Sequence, residues 1–418
     1  MVDRVSTYWS FKRPVNDMLR LQANLNKTSE QIATGKKTLS PADDPVGSAR
    51  VLQLDQEIAL TTQYERNITL LDSRLEQAEG ILTGVTSSIQ RVRELAVQAG
   101  NAALYSDSER VAIAQEINQR IKEVFDLANS KDGSGEYLFS GFKGETQPFV
   151  EQPGGGFGYQ GDEGVRYLQI SRTITMASSE TGKEVFLDIP SNVPTFQSYA
   201  NPENRGNPQG VISQGITVDQ EALDAFFPEN AVITFENELD INPPGKNFTV
   251  RQKSDGRIIE GLENITFQPG SGISFGGMTV SIVGSPAPGD QFIVETSEKQ
   301  DMLTTISKLS YALENYGTAP EFSEIYDAAI FNTLENLDNT IDNISQVRAR
   351  IGARLNTTEN TADQHADNKL AAQDIRSEIR DLDYAEAVSR LQMEEFILQA
   401  TQQSFAKTTQ LSLFDFIR

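Results

Sequence analysis

A chain of 418 residues has room for two or three domains and more than one buried core. Its net charge of −23 argues against phosphate-neutralising contact with nucleic acid, and the lack of any cysteine rules out disulfides and thiolate metal centres. No apolar run approaches the roughly 18 residues a bilayer span needs, so no membrane insertion is expected.

The first 40 residues run against the acidic whole, with seven Lys or Arg to three Asp or Glu. This is a basic arm or the solvated face of a helix. MVDRVSTYWSFKRPVNDMLR lacks the apolar core of a cleaved secretion signal, so any export is expected by another route. Met18, Leu21, Leu25, Thr28 and Ile32 keep alternating steps of three and four, which predicts an amphipathic helix up to Gly35. TLSPADDPVGSA then interrupts the period, because its two prolines forbid a continuous helix. Asp43 and Asp44 could act as acid and base or hold a hard cation. Preceding Pro45 in a first helical turn, they fit an N-cap instead.

A long helix is expected from about Val46 to Ala99. Ile68, Leu71, Leu75, Ala78, Leu82, Val85, Ile89, Val92, Ala96 and Ala99 fall on one heptad seam. Leu95 and Val97 lie off it, among Arg91, Arg93, Glu94 and Gln98. They either widen the core stripe or form the apolar centre of a second contact face. YSDSER offers a capping box, with Ser106 and Glu109 opening a helix through Ile113, Ile117, Ile121, Val124 and Ala128. GSGEYLFSGFKGETQPFV reads as a β-hairpin leading into the middle of the chain.

Residues 141 to 300 hold 21 of the 30 glycines and 12 of the 16 prolines. Short β-rich runs (VRYLQI, RTITM, EVFLDI, AVITF, NFTV, MTVSIV, QFIVE) alternate there with turn clusters, and a β domain inserted between helical flanks is expected. The glycines of 154 to 164 lack the Lys-Ser/Thr of a phosphate loop and are assigned to turns. The C-terminal flank mirrors the first. Leu334, Leu337, Ile341, Ile344, Arg348, Ile351, Leu355 and Thr358 hold the helical rhythm, and a last helix carries Tyr384, Val388, Leu391, Leu398 and Phe405. The class is therefore α+β: a long antiparallel helical bundle or coiled coil formed by both termini, with an inserted β-rich outer domain.

Catalytic groups are scarce. The single histidine, His365, has no neighbouring motif and reads as a solvated helical residue, and no cofactor or metal is expected.

QRVRELAVQAGN, RARIGARLN and DLDYAEAVSRLQMEEFILQATQQSF resemble the helical ends of bacterial flagellins, as does LNKTSEQIATGKKTLSPADDPVGSARVLQL. RVSTYWSF, the proline directly after Asp43-Asp44, and GEYLFSGFKGETQPF are similar to the hook-filament junction branch of that superfamily. The resemblance implies a structural flagellar subunit, extracellular and exported unfolded by the flagellar type III apparatus with a chaperone. It further implies a ring or helix of its own copies between another hook-associated protein and flagellin. By the same resemblance, residues 1–42 with 366–418 form an inner tube, 43–150 with 300–365 a bundle with a hairpin, and 151–299 an outer β domain. Met18, Leu21, Leu25, Ile32, Tyr384, Val388, Leu391, Leu398 and Phe405 are the expected assembly seam of the end helices. Arg91, Arg93, Glu94, Leu95 and Gln98 are the expected face toward an adjacent subunit. A filament-forming flagellin, or a surface protein whose β insertion binds glycans, are the alternatives.

Overall fold

The three-and-four spacing becomes long helices at both ends of the chain. The computed structural model describes residues 7–101, 106–152, 156–316 and 322–414. It opens with α1 (Thr7–Thr34), α2 (Pro45–Gly100) and α3 (Asp107–Ala128). Asp44 starts α2 as an N-cap: its carboxylate accepts the Gly47 N–H at 2.9 Å, and its carbonyl accepts the Ser48 N–H at 3.0 Å. Pro45 occupies the first turn, where its missing N–H is not needed. All ten seam residues from Ile68 to Ala99 are buried, none more than 7% exposed. The start of α3 is held by the Glu109 carboxylate, which accepts the Ser106 N–H at 2.7 Å and draws the Glu109 pKa below its ordinary value.

The expected hairpin of residues 133–150 is mostly a succession of turns, with one isolated bridge between Lys131 and Tyr137. Gly135 and Gly141 take positive φ there, and Asp132 and Asp162 accept the N–H groups of Ser134, Glu136, Phe142 and Gly164, so side-chain bonds replace the ladder. Pairing begins with β1 (Phe149–Glu151) and β2 (Phe157–Tyr159), followed by the ladder of β3 (Tyr167–Gln169) and β4 (Thr175–Ala177). Residues 153–155 of the glycine cluster lie outside the described residues.

EVFLDI does not form the strand its composition predicts. Lys183–Leu187 is a helical turn that buries the consecutive residues Val185 and Phe186, which an alternating strand would send to opposite faces. Phe186 meets the rings of Phe139 and Phe149 edge-on at 5.1 and 5.4 Å.

The remaining elements are β5 (Ile189–Ala200), β6 (Val211–Ile212), β7 (Ile216–Thr217), α4 (Gln220–Phe226), β8 (Ala231–Phe235) and β9 (Asn247–Gln252). After them come β10 (Ile265–Thr266), β11 (Gly272–Phe275), β12 (Met278–Val283) and β13 (Gln291–Gln300). The chain returns through α5 (Met302–Asn315), α6 (Ser323–Arg380) and α7 (Tyr384–Phe414). One antiparallel sheet has the order β10-β9-β8-β13-β5, and a second has β11-β12-β6 with β7 also on β12. Between them Phe235 packs edge-on against Phe267 at 4.9 Å and Phe292 at 5.8 Å, within a core that includes Ile233, Val250, Val280 and Met278. The strand β5 carries Pro190 and Pro194 and pairs only with β13, an edge position where missing N–H donors are tolerated. The α+β class thus holds, with helical flanks and a β-rich middle.

Two compact units result: Met1–Arg66 with Asn360–Arg418, and Asn67–Glu359.

Candidate subunit interface

Within the second unit, α2 has neighbours on two sides, and this decides the fate of its off-seam residues. Arg91 Nε donates to Glu116 on α3 at 2.8 Å and its Nη1 to Glu94 at 3.0 Å. Arg93 Nε donates to Asp338 on α6 at 2.6 Å, and the Tyr326 hydroxyl donates to the Ala99 carbonyl at 2.9 Å. A helix held from two sides needs a stripe wider than one heptad seam. Leu95, expected on an outward face, is accordingly buried at 1% exposure and belongs to the core. Val97 remains outside at 47%, beside exposed Glu94 and Gln98, with Arg91 and Arg93 half-buried. The carboxylates hold both guanidinium pKa values above their ordinary one, the hydrogen bond from Glu116 being the main cause for Arg91 and that from Asp338 for Arg93. The surface left over is a polar strip with one apolar residue in it.

In the first unit the chain turns from α1 into α2 through a braced corner. Gly35 at φ +68° accepts the Leu382 N–H at 3.0 Å, and Lys37 N–H donates to the Arg380 carbonyl at 2.8 Å. Lys27 Nζ lies 2.5 Å from Asp43, and that hydrogen bond, with the Ser40 N–H, holds the Asp43 carboxyl below its usual range. The end of α1 therefore meets the beginning of α7, and the two helices pack antiparallel.

Met18, Leu21, Leu25 and Ile32 are half-buried on α1, as are Leu391, Leu398 and Phe405 on α7. Tyr384 and Val388 are exposed, although the Tyr384 hydroxyl closes over Gly35. The end helices thus have a partner within their own chain. They also leave Leu19, Met393, Phe396 and Ile397 in solvent, with Leu19 65% and Phe396 68% exposed. These four lie off the three-and-four seam, so the spacing alone does not mark them. The side chains of residues 7–11 and of the closing LSLFDFIR stretch lie outside the described residues.

His365 is buried and not solvated, stacked on Tyr64 with ring centroids 5.7 Å apart. Thr361 on the same helix and Thr61 on α2 are also buried. Among the described residues no three His, Asp or Glu side chains come together as a metal site.

Sequence reasoning also missed Lys308 on α5. Its Nζ lies 2.9 Å from Thr195 Oγ1, 2.5 Å from the Phe196 carbonyl and 4.0 Å from the centre of the Phe196 ring. Burial lowers its pKa to about 7, with Asp301 acting in the opposite sense. Burial raises Asp301, the N-cap of α5, against its hydrogen bond from Thr304. A solitary lysine in a helix gives no sequence signal of such a setting.

Family models for the bacterial flagellin N-terminal and C-terminal helical regions match residues 5–143 and 334–417, between them more than half of the chain. The chain belongs to the flagellin superfamily. Among its superfamily relatives, the flagellar hook-associated protein 3 of Salmonella typhimurium is 34% identical over 189 residues, covering 45% of this chain and 58% of that protein. The chain therefore aligns with little more than half the length of that relative. A phase 1 flagellin of Salmonella naestved is 33% identical over 125 residues, covering 30% of this chain and 25% of the flagellin. The crystal structure of the flagellar junction protein of Legionella pneumophila superposes with a TM-score of 0.51 at 27% identity, covering 79% of this chain and all of that one.

Proposed function

We propose that the chain is a structural subunit joining hook to filament in the bacterial flagellum, working by packing against copies of itself and without catalysis. What carries the reading is extent: similarity to hook-associated protein 3 runs over 189 residues against 125 for flagellin, and likeness to a junction protein's structure covers 79% of the chain.

The surface chemistry fits this role. A joint under torque needs contacts distributed over many side chains, and Leu19, Met393, Phe396 and Ile397 offer apolar surface on α1 and α7. Each large apolar side chain buried on assembly contributes roughly 1.5–3 kcal/mol of transfer free energy. In this reading residues 1–42 with 366–418 form the inner wall of the assembly, 43–150 with 300–365 the bundle around it, and 151–299 the outer β domain. Met18, Leu21, Leu25, Ile32, Leu391, Leu398 and Phe405 hold the end helices together, while Tyr384 and Val388 sit at their edge. Arg91, Arg93, Glu94 and Gln98, centred on Val97, meet an adjacent subunit, and Leu95 supports that face from beneath. Another hook-associated protein bounds the assembly on one side and flagellin on the other. Export is unfolded, through the flagellar type III apparatus, with a dedicated chaperone.

Immunogold labelling of intact flagella tests the reading. Label confined to the distal end of the hook is the expected result. Label along the whole filament identifies a flagellin instead.

A further inference from the structure

Glycine is the poorest helix former after proline, yet the two longest helices, α2 and α6, carry it in mid-course. In α2, Gly47, Gly84 and Gly100 have close neighbours. A Cβ on Gly47 would strike the Asp44 carboxylate, one on Gly84 would reach Leu127 of α3 at 3.4 Å, and one on Gly100 would reach Ile330 of α6 at 3.4 Å. Gly80, and Gly352 as the single glycine of α6, are different: a Cβ at either meets nothing within 4 Å, and neither backbone takes a positive φ. Neither space nor conformation asks for glycine there. Each nonetheless disfavours the helix about fivefold relative to alanine.

The two stand at one level of the second unit. There α2 and α6 pair antiparallel, Arg93 reaching Asp338 at 2.6 Å toward one end and Thr358 Oγ1 reaching Asp72 at 2.5 Å toward the other. Between these contacts Arg348 Nη2 lies 2.6 Å from Glu79, which precedes Gly80, and Gly352 follows Arg348 by about one turn. Hydroxyls nearby weaken the same stretch. Thr83, Thr86 and Ser87 on α2, and Ser345 and Thr357 on either side of Gly352, each donate to the carbonyl four residues back at 2.7–3.0 Å. Such bonds compete with the helical ladder and bend helices. The lateral packing changes here as well: α3 ends at Ala128, next to the Leu127 that faces Gly84, and the Gln77 amide already donates to Lys131 in the turns beyond. Leu82, Val85, Ile344 and Ile351 stay buried at this level, so the helices are weakened without being parted.

We propose that Gly80 and Gly352 together form a bending joint in the paired stretch of α2 and α6, where both helices flex as one while their seam stays closed. Load carried along the pair is taken up first where both helices are weakest and the lateral packing changes. Bending lengthens hydrogen bonds on the convex side, so the joint shows as local opening of the two backbones at one level. This goes beyond the junction reading and holds whether or not copies of the chain assemble.

Amide hydrogen exchange on the dilute full-length chain tests the joint, in the wild type and in Gly80→Ala and Gly352→Ala separately. In the wild type, amides of residues 78–83 and 349–354 are expected to exchange several times faster than those around Leu71 and Val92. Gly80→Ala should slow exchange about fivefold in its own helix and also across the pair, at 349–354 of α6, and Gly352→Ala should do the converse at 78–83 of α2. Coupling across the pair separates a shared joint from two helices that are weak independently. Substitutions that each act on their own helix alone, or wild-type exchange at Gly80 no faster than around Leu71 and Val92, overturn the joint and leave the junction reading standing.

Discussion

The phenol oxygen of Tyr384 lies 2.9 Å from where a Cβ on Gly35 would stand, and Gly35 has φ +68°. The backbone conformation favours glycine at this corner, and a Cβ there would push the Tyr384 hydroxyl aside. Gly35→Ala is expected to cost about 1–2 kcal/mol for the left-handed conformation alone, and more where Tyr384 must move aside. Adding Tyr384→Ala should relieve only the steric share. Melting curves check this, and a Gly35→Ala protein that melts with the wild type would contradict the corner as described.

Leu95 and Val97, two residues apart on α2, should respond differently to truncation. Leu95→Ala removes a buried side chain and is expected to destabilise the chain by about 2–5 kcal/mol, whereas Val97→Ala should stay within about 0.5 kcal/mol. Urea denaturation of both variants measures the contrast. Comparable losses would mean that Val97 is also part of the core.

The Arg93–Asp338 pair, at 2.6 Å, leaves both side chains near half exposure. A double-mutant cycle on the isolated chain should give a coupling of about 0–1 kcal/mol that shrinks in high salt. The same substitutions should weaken assembly by more than this, since contact with a neighbour removes water from the pair. An equal effect on folding and assembly would argue against a subunit contact at this position.

What the sequence disclosed follows from periodicity. The ten seam residues of α2 could be read because every third or fourth position is apolar, and the cap at Asp44 because proline follows it. The seam does not reveal how many helices flank α2, so Leu95 fits either place by spacing alone; Arg91 and Arg93 reach α3 and α6 on opposite sides, and the core stripe widens to include it. The strand β5 went unrecognised because Pro190 and Pro194 mimic a loop, which an edge position tolerates. EVFLDI misled in the other direction, since β-forming composition does not require alternation of burial. His365 reads as solvated because no motif adjoins it in sequence, while its surroundings are set by Tyr64, some 300 residues away in sequence.

Lys308 gives the fold a pH dependence whose sign can be worked out. Its pKa falls to about 7 on folding, whereas an unfolded lysine ionises near 10.4. From pH 7 to about 10 the unfolded chain binds more protons at this position, so the Lys308 contribution makes stability rise with pH across that window. Below 7 both states are protonated and the desolvation cost persists in full. Asp301, raised above 3.8 by burial, acts in the opposite direction from its own lower window. Lys308→Met removes the lysine's part. Its denaturation midpoint, relative to wild type, should be higher at pH 7 than at pH 10, and a pH-independent difference would contradict the burial of this amine.

Assembly through the end helices is the central claim, and Leu19→Ser combined with Phe396→Ser in the full-length chain tests it most directly. Both residues are exposed, so circular dichroism should be unchanged. In cells whose only copy of the protein carries the pair, electron microscopy should find hooks without filaments and flagellin shed into the medium. Filaments of normal number and length on those hooks would contradict it.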